Sequence, residues 1–295
     1  MGHGDRLDRR GGFSLFAVLM FMLFIAAVAA ALAVLSLEQS RLAASDGDRF
    51  RDEIGMNGFL ILLTGALADS LENEPTRGMA SGGTVSCELD QVGHDAVVIN
   101  HAGLIDINSA DQKMLVVGYL ALGLARPAAE RAAQLTALSR LPALAVSDDL
   151  RRQAGPAPLK FALFETVAEL ADIVGNDRFD LARALGIFTV QTRTASINPD
   201  LAPKDIVAAL DRLHDPAITP WLQSSERSNY VTIVARRHGS VELERTAVFD
   251  IAAATPSRVS RVQFVDRISR SEKAPAEKHR TPCLSLFFQQ AGWGG

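Results

Sequence analysis

The chain has 295 residues, 48% of them hydrophobic, and a formal net charge of −4. This length suffices for one large domain or two modest ones, each with a proper core. The weakly acidic balance argues against nucleic acid as the main partner, because phosphate binding requires a basic face.

The N-terminal region contains one long apolar run. From Phe13 to Leu37 only Ser14 and Ser36 are not apolar, and no charged residue occurs. At about 1.5 Å per residue the run reaches about 37 Å, whereas a bilayer core needs about 30 Å. A removed secretory signal is the alternative, but its apolar part is only about 7–15 residues long. We therefore predict a retained transmembrane helix over residues 13–37.

Basic residues precede this apolar run at Arg6, Arg9 and Arg10. The positive-inside bias therefore predicts a cytoplasmic N-terminus. No second apolar run approaches the length of about 18 residues that a spanning helix needs. We predict a single-pass protein whose C-terminal domain lies on the opposite side of the membrane.

The start of the apolar run, Arg9-Arg10-Gly11-Gly12-Phe13, resembles the recognition site of prepilin peptidase. Such sites have a short charged leader, a glycine, and then a phenylalanine that begins a long apolar helix. The resemblance implies cleavage between Gly12 and Phe13 and methylation of the new amine on Phe13. A cut before the apolar run leaves the helix on the mature protein, where it serves as an anchor and assembly stem.

Ala17 occupies the fifth mature position, where most pilins and pseudopilins carry glutamate. In a filament that carboxylate offsets the N-terminal ammonium group of a neighbouring subunit, because an unpaired charge in apolar surroundings is costly. A subunit with Ala17 is tolerable where no neighbour needs this partner, as at the leading end of a filament. An ordinary anchored protein has no need of a glutamate there either, so Ala17 by itself leaves both interpretations open.

The region after the apolar run is predicted to form a helix and then a β-hairpin. Leucines at helical spacing over residues 60–71 extend the predicted helix to about Asn73. Two strands follow at Thr84–Leu89 and Ala96–His101, around a turn at Val92–Asp95.

Residues 104–213 are predicted to be mostly helical after a short strand end at Leu104–Ile107. Ser109 and Gln112 fit a capping box, in which each side chain satisfies an exposed backbone N–H group of the first turn. Helices are predicted at about Ala110–Leu124, Pro127–Leu141, Glu165–Val174 and Asp177–Leu185, and after Pro203 to about Leu213. The remainder is predicted to be β-rich, with strands at about Asn229–Arg236, Val241–Ile251 and Arg258–Asp266.

Over Gly12 to Ile251 the order of these segments resembles the K-type minor pseudopilin of the type II secretion system, also called general secretion pathway protein K. The segments that carry the resemblance are residues 103–111 with Asp106, Asn108 and Ser109, residues 165–175, residues 188–203 with Asn198 and Pro199, and residues 228–231. The resemblance implies an α+β fold with an N-terminal transmembrane and stem helix. A small antiparallel pseudopilin-like sheet and a large, mostly α-helical inserted domain complete that fold.

The same resemblance implies a division of the chain into six segments. They are a cytoplasmic prepilin leader (1–12), a transmembrane helix (13–37), the stem helix with the first strands (38–102), the inserted helical domain (103–215), the C-terminal β part of the core (216–268) and an irregular tail (269–295).

The implied function is to cap or prime the tip of the type II secretion pseudopilus, which supports protein export across the outer membrane. The implied partners are other minor pseudopilins and the pseudopilus, contacted through the N-terminal helix, the inner-membrane secretion platform and prepilin peptidase. The implied location is the inner membrane, with the C-terminal domain in the periplasm.

The sequence shows no motif for catalysis, so we predict no enzymatic activity. The six histidines are scattered. His94 and His101 flank a predicted strand, and we interpret them as surface loop residues rather than as a metal pair. Cys87 and Cys283 could pair in an oxidising compartment, but two cysteines do not define a disulfide framework, and pairing stays open.

Calcium is the one cofactor to consider, because members of the resembled family can bind it through carboxylates of the inserted domain. Asp148 and Asp149 are the weak candidates here, and Asp106, Asn108 and Asp111 cluster at a helix start. Calcium requires six to eight oxygen ligands, and both clusters are partial. Asp and Asn at helix starts are more often caps, so no cofactor is predicted.

An alternative function comes from the Ile-Asn pair that precedes a predicted helix pair. This pattern also resembles helix-hairpin-helix modules of DNA-uptake systems, which favour a glycine hairpin between the helices and basic residues nearby. The junction here is Gly123-Leu124-Ala125-Arg126-Pro127 in an acidic chain. We therefore predict no nucleic-acid partner.

Overall fold

The structure, a computed structural model, describes residues 11–72, 82–142, 149, 152, 159–177, 179–224, 228–238, 242–251, 260–269, 281–283 and 285. Among these the helices are α1 (Gly11–Glu72), α2 (Gln112–Ala121), α3 (Arg126–Ser139), α4 (Ala171–Val174), α5 (Leu181–Ala184) and α6 (Lys204–Leu213). The strands are β1 (Gly83–Leu89), β2 (Val92–Asn100), β3 (Ile105–Asp106), β4 (Phe188–Thr189), β5 (Tyr230–His238), β6 (Glu242–Asp250) and β7 (Ser260–Ser269). Short 3₁₀ helices occur at His101–Gly103, Val167–Leu170, Pro199–Leu201 and Pro216–Trp221. The chain divides into two compact units, Met1–Ile54 and Gly55–Gly295.

The described part of the first unit, residues 11–54, is helical throughout and belongs to α1. One helix, over Phe16–Ala68, is long and apolar enough to cross a membrane. Its most apolar window has a mean hydropathy of 2.9, and none of that window is buried. The predicted transmembrane helix lies within α1. The described part of α1 reaches Glu72, and the predicted end of the stem near Asn73 lies outside the described residues.

The second unit is built on an antiparallel sheet with the strand order β1-β2-β5-β6-β7. β1 and β2 are joined by Asp90 and Gln91, whose φ angles of 52° and 63° are those of a two-residue hairpin turn. The predicted turn at Val92–Asp95 is therefore wrong. Because Asp90 and Gln91 adopt positive φ without glycine, the turn lacks its usual sequence signal, and Gly93 was mistaken for part of it.

One face of the sheet packs against the end of α1. Met56, Phe59, Leu63 and Leu67 follow helical spacing and are fully buried. They share an apolar cluster with side chains of the sheet, namely Val85, Cys87, Ala96, Val98, Val231, Ile233, Ala235, Leu243, Ala247 and Phe249. The stem therefore supplies one half of the core of the second unit.

The segments between β2 and β5 form a second apolar cluster with α2, α3 and α6 as its main helices. This cluster includes Val248 of β6, so it covers part of the opposite face of the sheet. β3 and β4 pair in parallel within it. A Cβ atom at Gly118 would lie 2.4 Å from the ring of Phe188, and one at Gly103 would lie 2.3 Å from the carbonyl oxygen of Leu201. Both close approaches therefore require glycine.

Several helices are shorter than their sequence patterns predict. α2 begins at Gln112 because the carboxylate of Asp111 accepts a hydrogen bond from the backbone N–H of Lys113. The predicted capping box of Ser109 and Gln112 is therefore wrong by two residues. The capping box that does form joins Thr166 to Glu169, and it begins a 3₁₀ turn rather than a long helix.

Residues 281–283 lie against the sheet. Cys283 forms a disulfide with Cys87, which answers the question that the sequence left open. The backbone N–H of Glu88 donates to the carbonyl oxygen of Thr281 at 3.0 Å. This part of the predicted irregular tail is therefore attached to the edge strand β1.

Candidate functional site

The residues of the predicted processing site lie at the start of α1. Gly12, Phe13 and Ala17 are all helical, and Ala17 is exposed. Cleavage between Gly12 and Phe13, and the role of Ala17 in filament position, stay predictions.

The first unit exposes large apolar side chains along much of its described length. The side chains that are 43–66% exposed include Phe16, Leu19, Phe21, Met22, Leu23, Phe24, Ile25, Val28, Leu32, Val34, Leu35 and Leu37. Apolar surface in water is unfavourable by about 25 cal/mol for each Å². A helix of this composition is therefore compatible with an apolar environment such as a bilayer or a bundle of similar helices.

Asp106, a residue of the predicted motif, is the acceptor for four hydrogen bonds although it is 1% exposed. One carboxylate oxygen accepts from the backbone N–H groups of Asn108 and Ser109 at 2.9 and 3.0 Å. The other accepts from the hydroxyl of Thr192 at 3.1 Å and the backbone N–H of Arg193 at 2.9 Å. Asp106 therefore fastens its own turn to a segment more than eighty residues later in the chain.

Two further side chains hold the same turn. The Asn108 amide donates to the carbonyl oxygen of Phe164 at 2.9 Å and accepts from its backbone N–H at 2.8 Å. Arg140 donates to the carbonyl oxygens of Ile107 and Ala110 at 3.2 and 2.7 Å. These contacts explain why polar residues occupy a buried turn, since each satisfies backbone groups that would otherwise be unpaired.

The same contacts test whether the turn suits calcium. Both oxygens of Asp106 point at hydrogen-bond donors, and Asp111 caps α2. Asp149 pairs with Arg152, and Asp148 lies outside the described residues. Within the described ranges no group of three or more His, Cys, Asp or Glu side chains could hold a metal ion. The residues do not fit a site that needs six to eight free oxygen ligands.

Asn198 has a similar structural role at the second Ile-Asn pair. Its side-chain oxygen accepts from the backbone N–H of Asp200 at 3.0 Å and so caps the 3₁₀ turn that begins at Pro199. Its amide group donates to the carbonyl oxygen of Ser224 at 2.8 Å. Asn198 therefore holds the segment that leads to β5.

Sequence reasoning missed Asn100, which repeats this arrangement at the end of β2. Its side-chain oxygen accepts from the backbone N–H of Ala102 at 2.9 Å, and its amide donates to the carbonyl oxygen of Ser228 at 3.1 Å. An Asn directly after an alternating strand and before His-Ala-Gly is a recognisable capping signal.

The predicted surface location of His94 and His101 is wrong, since each is 1% exposed. Side chains alternate along β2, which turns His94 inward, where its ring lies 4.9 Å from the ring of Phe59. The two ring nitrogens of His101 lie 2.8 and 2.9 Å from the hydroxyls of Thr189 and Thr232. His101 therefore links β4, which lies in the second apolar cluster, to β5 of the five-stranded sheet.

We expect the free energy of unfolding to decrease as the pH is lowered, because of His101. Burial lowers its pKa from 6.5 to about 3, so the unfolded chain binds the proton more readily than the folded chain. The stabilising contribution is complete above pH 6.5 and is lost as the pH falls towards 3. Between pH 7 and 4 the free energy of unfolding should decrease by about 3 kcal/mol from this residue. Denaturant unfolding at both pH values, compared with H101Q, measures this difference, and an equal decrease in H101Q contradicts it.

Two small cavities lie among the described residues of the second unit. One of about 160 Å³ is lined by Ser139, Leu159, Lys160, Phe164, Glu169, Asp172 and Ile173. The other, of about 190 Å³, is lined by Ala102, Gln191, Thr192, Thr194, Ser228, Asn229 and Tyr230. In the first, Lys160 pairs with Glu169 at 2.7 Å. Two of the three charged side chains that line this cavity, Lys160 and Glu169, therefore satisfy one another.

The junction of α2 and α3 tests the alternative of a DNA-binding hairpin. Gly123 adopts a φ of 102° and turns the chain, as a helix-hairpin-helix module requires. The arginines near this turn are engaged by carboxylates, since Arg126 pairs with Glu130 at 2.9 Å and Arg183 with Asp205 at 3.3 Å. The junction therefore has a glycine turn, but its nearby arginines are paired with carboxylates rather than left for phosphate contacts.

No protein-family model matches the sequence, and no curated protein matches it. Among solved structures, one similar chain comes from the crystal structure of the GspK-GspI-GspJ complex from the enterotoxigenic Escherichia coli type 2 secretion system. The TM-score is 0.50 at 14% identity, and the match covers 76% of this chain and 99% of that chain. The chain therefore has a mixed α+β fold, with a long apolar N-terminal helix, an antiparallel sheet and further helices, similar to that of a protein in a complex of this secretion system.

Proposed function

We propose that this chain is a minor pseudopilin of a type II secretion system, anchored in the inner membrane by α1. The observation that carries the proposal is the likeness of fold to a chain of the GspK-GspI-GspJ complex over 99% of that chain. The leader-like sequence before Phe13 and the long apolar run after it support the same function independently. A structural role without catalysis agrees with the side-chain contacts described above.

The disulfide supports a periplasmic location for the second unit. Disulfides form and persist in oxidising compartments and are rare in the cytosol. Cys87 and Cys283 both belong to the second unit, whereas Arg6, Arg9 and Arg10 precede the apolar run. A cytoplasmic leader, a spanning helix and a periplasmic domain satisfy both observations.

We further propose that the subunit caps or primes the tip of the pseudopilus. Ala17 cannot offer a carboxylate to the amine of a neighbouring subunit, and at the tip no neighbour needs one. The proposed inserted domain, residues 103–215, gives the subunit a bulk that does not repeat easily along a thin filament. Its proposed partners are other minor pseudopilins, which it contacts through its N-terminal helix, and the inner-membrane platform.

Processing by prepilin peptidase tests the proposal at a single bond. The full chain, co-expressed with the peptidase, should lose residues 1–12 and carry one methyl group on Phe13. G12L should remain uncleaved, because a bulky side chain blocks access to the backbone at the cut. G11L makes the same change one residue earlier and should still be cleaved. Mass spectrometry of the purified chain distinguishes these outcomes, and a cut after the apolar run would identify a signal peptide instead.

Partner capture separates the tip function from the DNA-binding alternative. The detergent-solubilised full chain should co-purify with minor pseudopilins encoded beside it, and deletion of its gene should abolish export. A gel-shift assay at low salt should show no tight complex with duplex DNA. Tight DNA binding that weakens steeply with salt would contradict the proposal and favour DNA uptake.

A further inference from the structure

Residues 281–283 are attached to β1 by three kinds of contact. Cys283 is bonded to Cys87, and both side chains are fully buried in the cluster between α1 and the sheet. Glu88 donates its backbone N–H to the carbonyl oxygen of Thr281 at 3.0 Å. Glu88 and Pro282 form a parallel bridge. Among the described residues, this segment is thus held on the sheet by the disulfide and by backbone pairing with Glu88.

Among the described strands, β1 lies at the edge of the five-stranded sheet. The N–H of Glu88 points away from β2, and alternation along the strand turns the backbone groups of Ser86 and Thr84 to the same side. Both of these residues are exposed. An edge strand with open backbone groups is a template for pairing with another chain, which proteins usually prevent with lysine, proline, a bulge or a cover. β1 contains neither lysine nor proline.

We propose that the Cys87–Cys283 disulfide is a latch that keeps Thr281–Cys283 on the edge of β1. Without the bond, Thr281–Cys283 dissociates from β1. The backbone groups of β1 then become accessible, while the rest of the sheet stays folded. This proposal does not depend on the function proposed above.

The magnitudes favour a covalent latch. Ordering the backbone of three residues costs about 3–6 kcal/mol. One hydrogen bond contributes about 1 kcal/mol net, and burial of one small side chain contributes about 1–2 kcal/mol. The described non-covalent contacts of Thr281–Cys283 with β1 are therefore smaller than, or at most equal to, the cost of ordering this segment, so the disulfide supplies the remaining stabilisation. Pro282 has no backbone N–H to donate to β1, and its carbonyl oxygen accepts from the hydroxyl of Ser285 at 2.8 Å.

The latch closes by an oxidation that needs an external acceptor. Two thiols lose two protons and two electrons and form the bond, while a disulfide of an oxidoreductase gains both and becomes two thiols. Cys283 lies 196 residues after Cys87, so the bond can form only after most of the second unit has been synthesised. Because both sulfurs are buried, the closed latch is expected to resist reductants until the segment or the sheet opens.

Hydrogen exchange on the full chain in detergent micelles tests the latch. In C87A/C283A the amide of Glu88 should exchange at least about tenfold faster than in the oxidised wild type, because the segment is released. The amides in the ladder between β2 and β5 should keep their protection over the same short labelling times. T281A keeps both cysteines and the backbone carbonyl, and its Glu88 amide should remain protected.

Two results would overturn the proposal. Unchanged exchange at Glu88 in C87A/C283A would show that the segment stays on the edge without the bond. Equal loss of protection in the β2–β5 ladder would show that the bond holds the whole sheet rather than its edge. Wild type unfolded, reduced with dithiothreitol and refolded under reducing conditions should repeat the result of C87A/C283A, which excludes an effect of the alanine side chains themselves.

Discussion

Replacing Asp106 by alanine should lower the free energy of unfolding of the second unit by about 4 kcal/mol. The carboxylate is buried, and its two oxygens accept from three backbone N–H groups and the hydroxyl of Thr192. Each buried donor that loses its acceptor costs about 1–3 kcal/mol, and relaxation of the turn recovers part of the sum. Denaturant unfolding of the full chain in micelles, followed by tryptophan fluorescence, measures the change.

Two asparagine variants distinguish this network from an ordinary helix cap. In D106N one oxygen becomes an amide N–H group that faces donors, so we expect a loss of about 2–4 kcal/mol. In D111N the change should stay within about 0.5 kcal/mol, because asparagine caps a helix as well as aspartate does. Equal effects of D106N and D111N would show that Asp106 is no more than a local cap.

The elements predicted best from the sequence are those specified by long periodic patterns. α1 is helical over all its described residues up to Glu72, and its leucines at helical spacing face the sheet up to Leu67. The β-rich C-terminal part was also predicted: β7 covers Ser260–Ser269, which extends beyond the predicted end at Asp266, whereas the predicted start at Arg258 lies outside the described residues. Local alternation of apolar residues indicates such strands, but their exact ends depend on pairing across the sheet.

The polar network could be predicted only in part. Asp106, Asn108 and Asn198 were recognised as motif residues, because a polar residue before a helix start has few local uses besides capping. Their partners Phe164 and Ser224 lie 56 and 26 residues further along the chain. Contacts at such separations depend on the placement of whole segments, which no local pattern specifies.

The burial of His101 was predicted wrongly, and the pairing of Cys87 with Cys283 stayed open, for the same physical reason. Burial lowers the pKa of His101 and keeps its ring neutral, and the hydroxyls of Thr189 on β4 and Thr232 on β5 lie beside its ring nitrogens. Cys283 reaches Cys87 because the chain end returns to the first strand of the sheet. In both cases the tertiary fold brings together residues that are distant in sequence, and neither residue carries a local signal of its environment.

Replacing Asp266 by alanine should lower the free energy of unfolding by about 3 kcal/mol, because it leaves a buried guanidinium group without its carboxylate. The Arg245 side chain is 6% exposed, and it donates to both carboxylate oxygens of Asp266 at 2.6 Å. It also donates to the side-chain oxygen of Asn57 in α1 at 2.6 Å. The expected loss lies at the lower end of the range for buried pairs, since the Asp266 side chain is 32% exposed and water partly replaces it.

Two methionine variants separate the cost of an unpaired charge from the worth of the ion pair. R245M removes the buried charge and keeps most of the apolar stem, so its stability should be within about 1 kcal/mol of wild type. R236M removes the ion pair between Arg236 and Glu244. The Arg236 side chain is 53% exposed, so the free energy of unfolding should decrease by less than about 1 kcal/mol. A loss in R245M as large as that in D266A would mean that Arg245 joins α1 to the sheet by a net favourable interaction. In that case the ion pair itself, rather than the avoidance of an unpaired charge, stabilises the stem on the sheet.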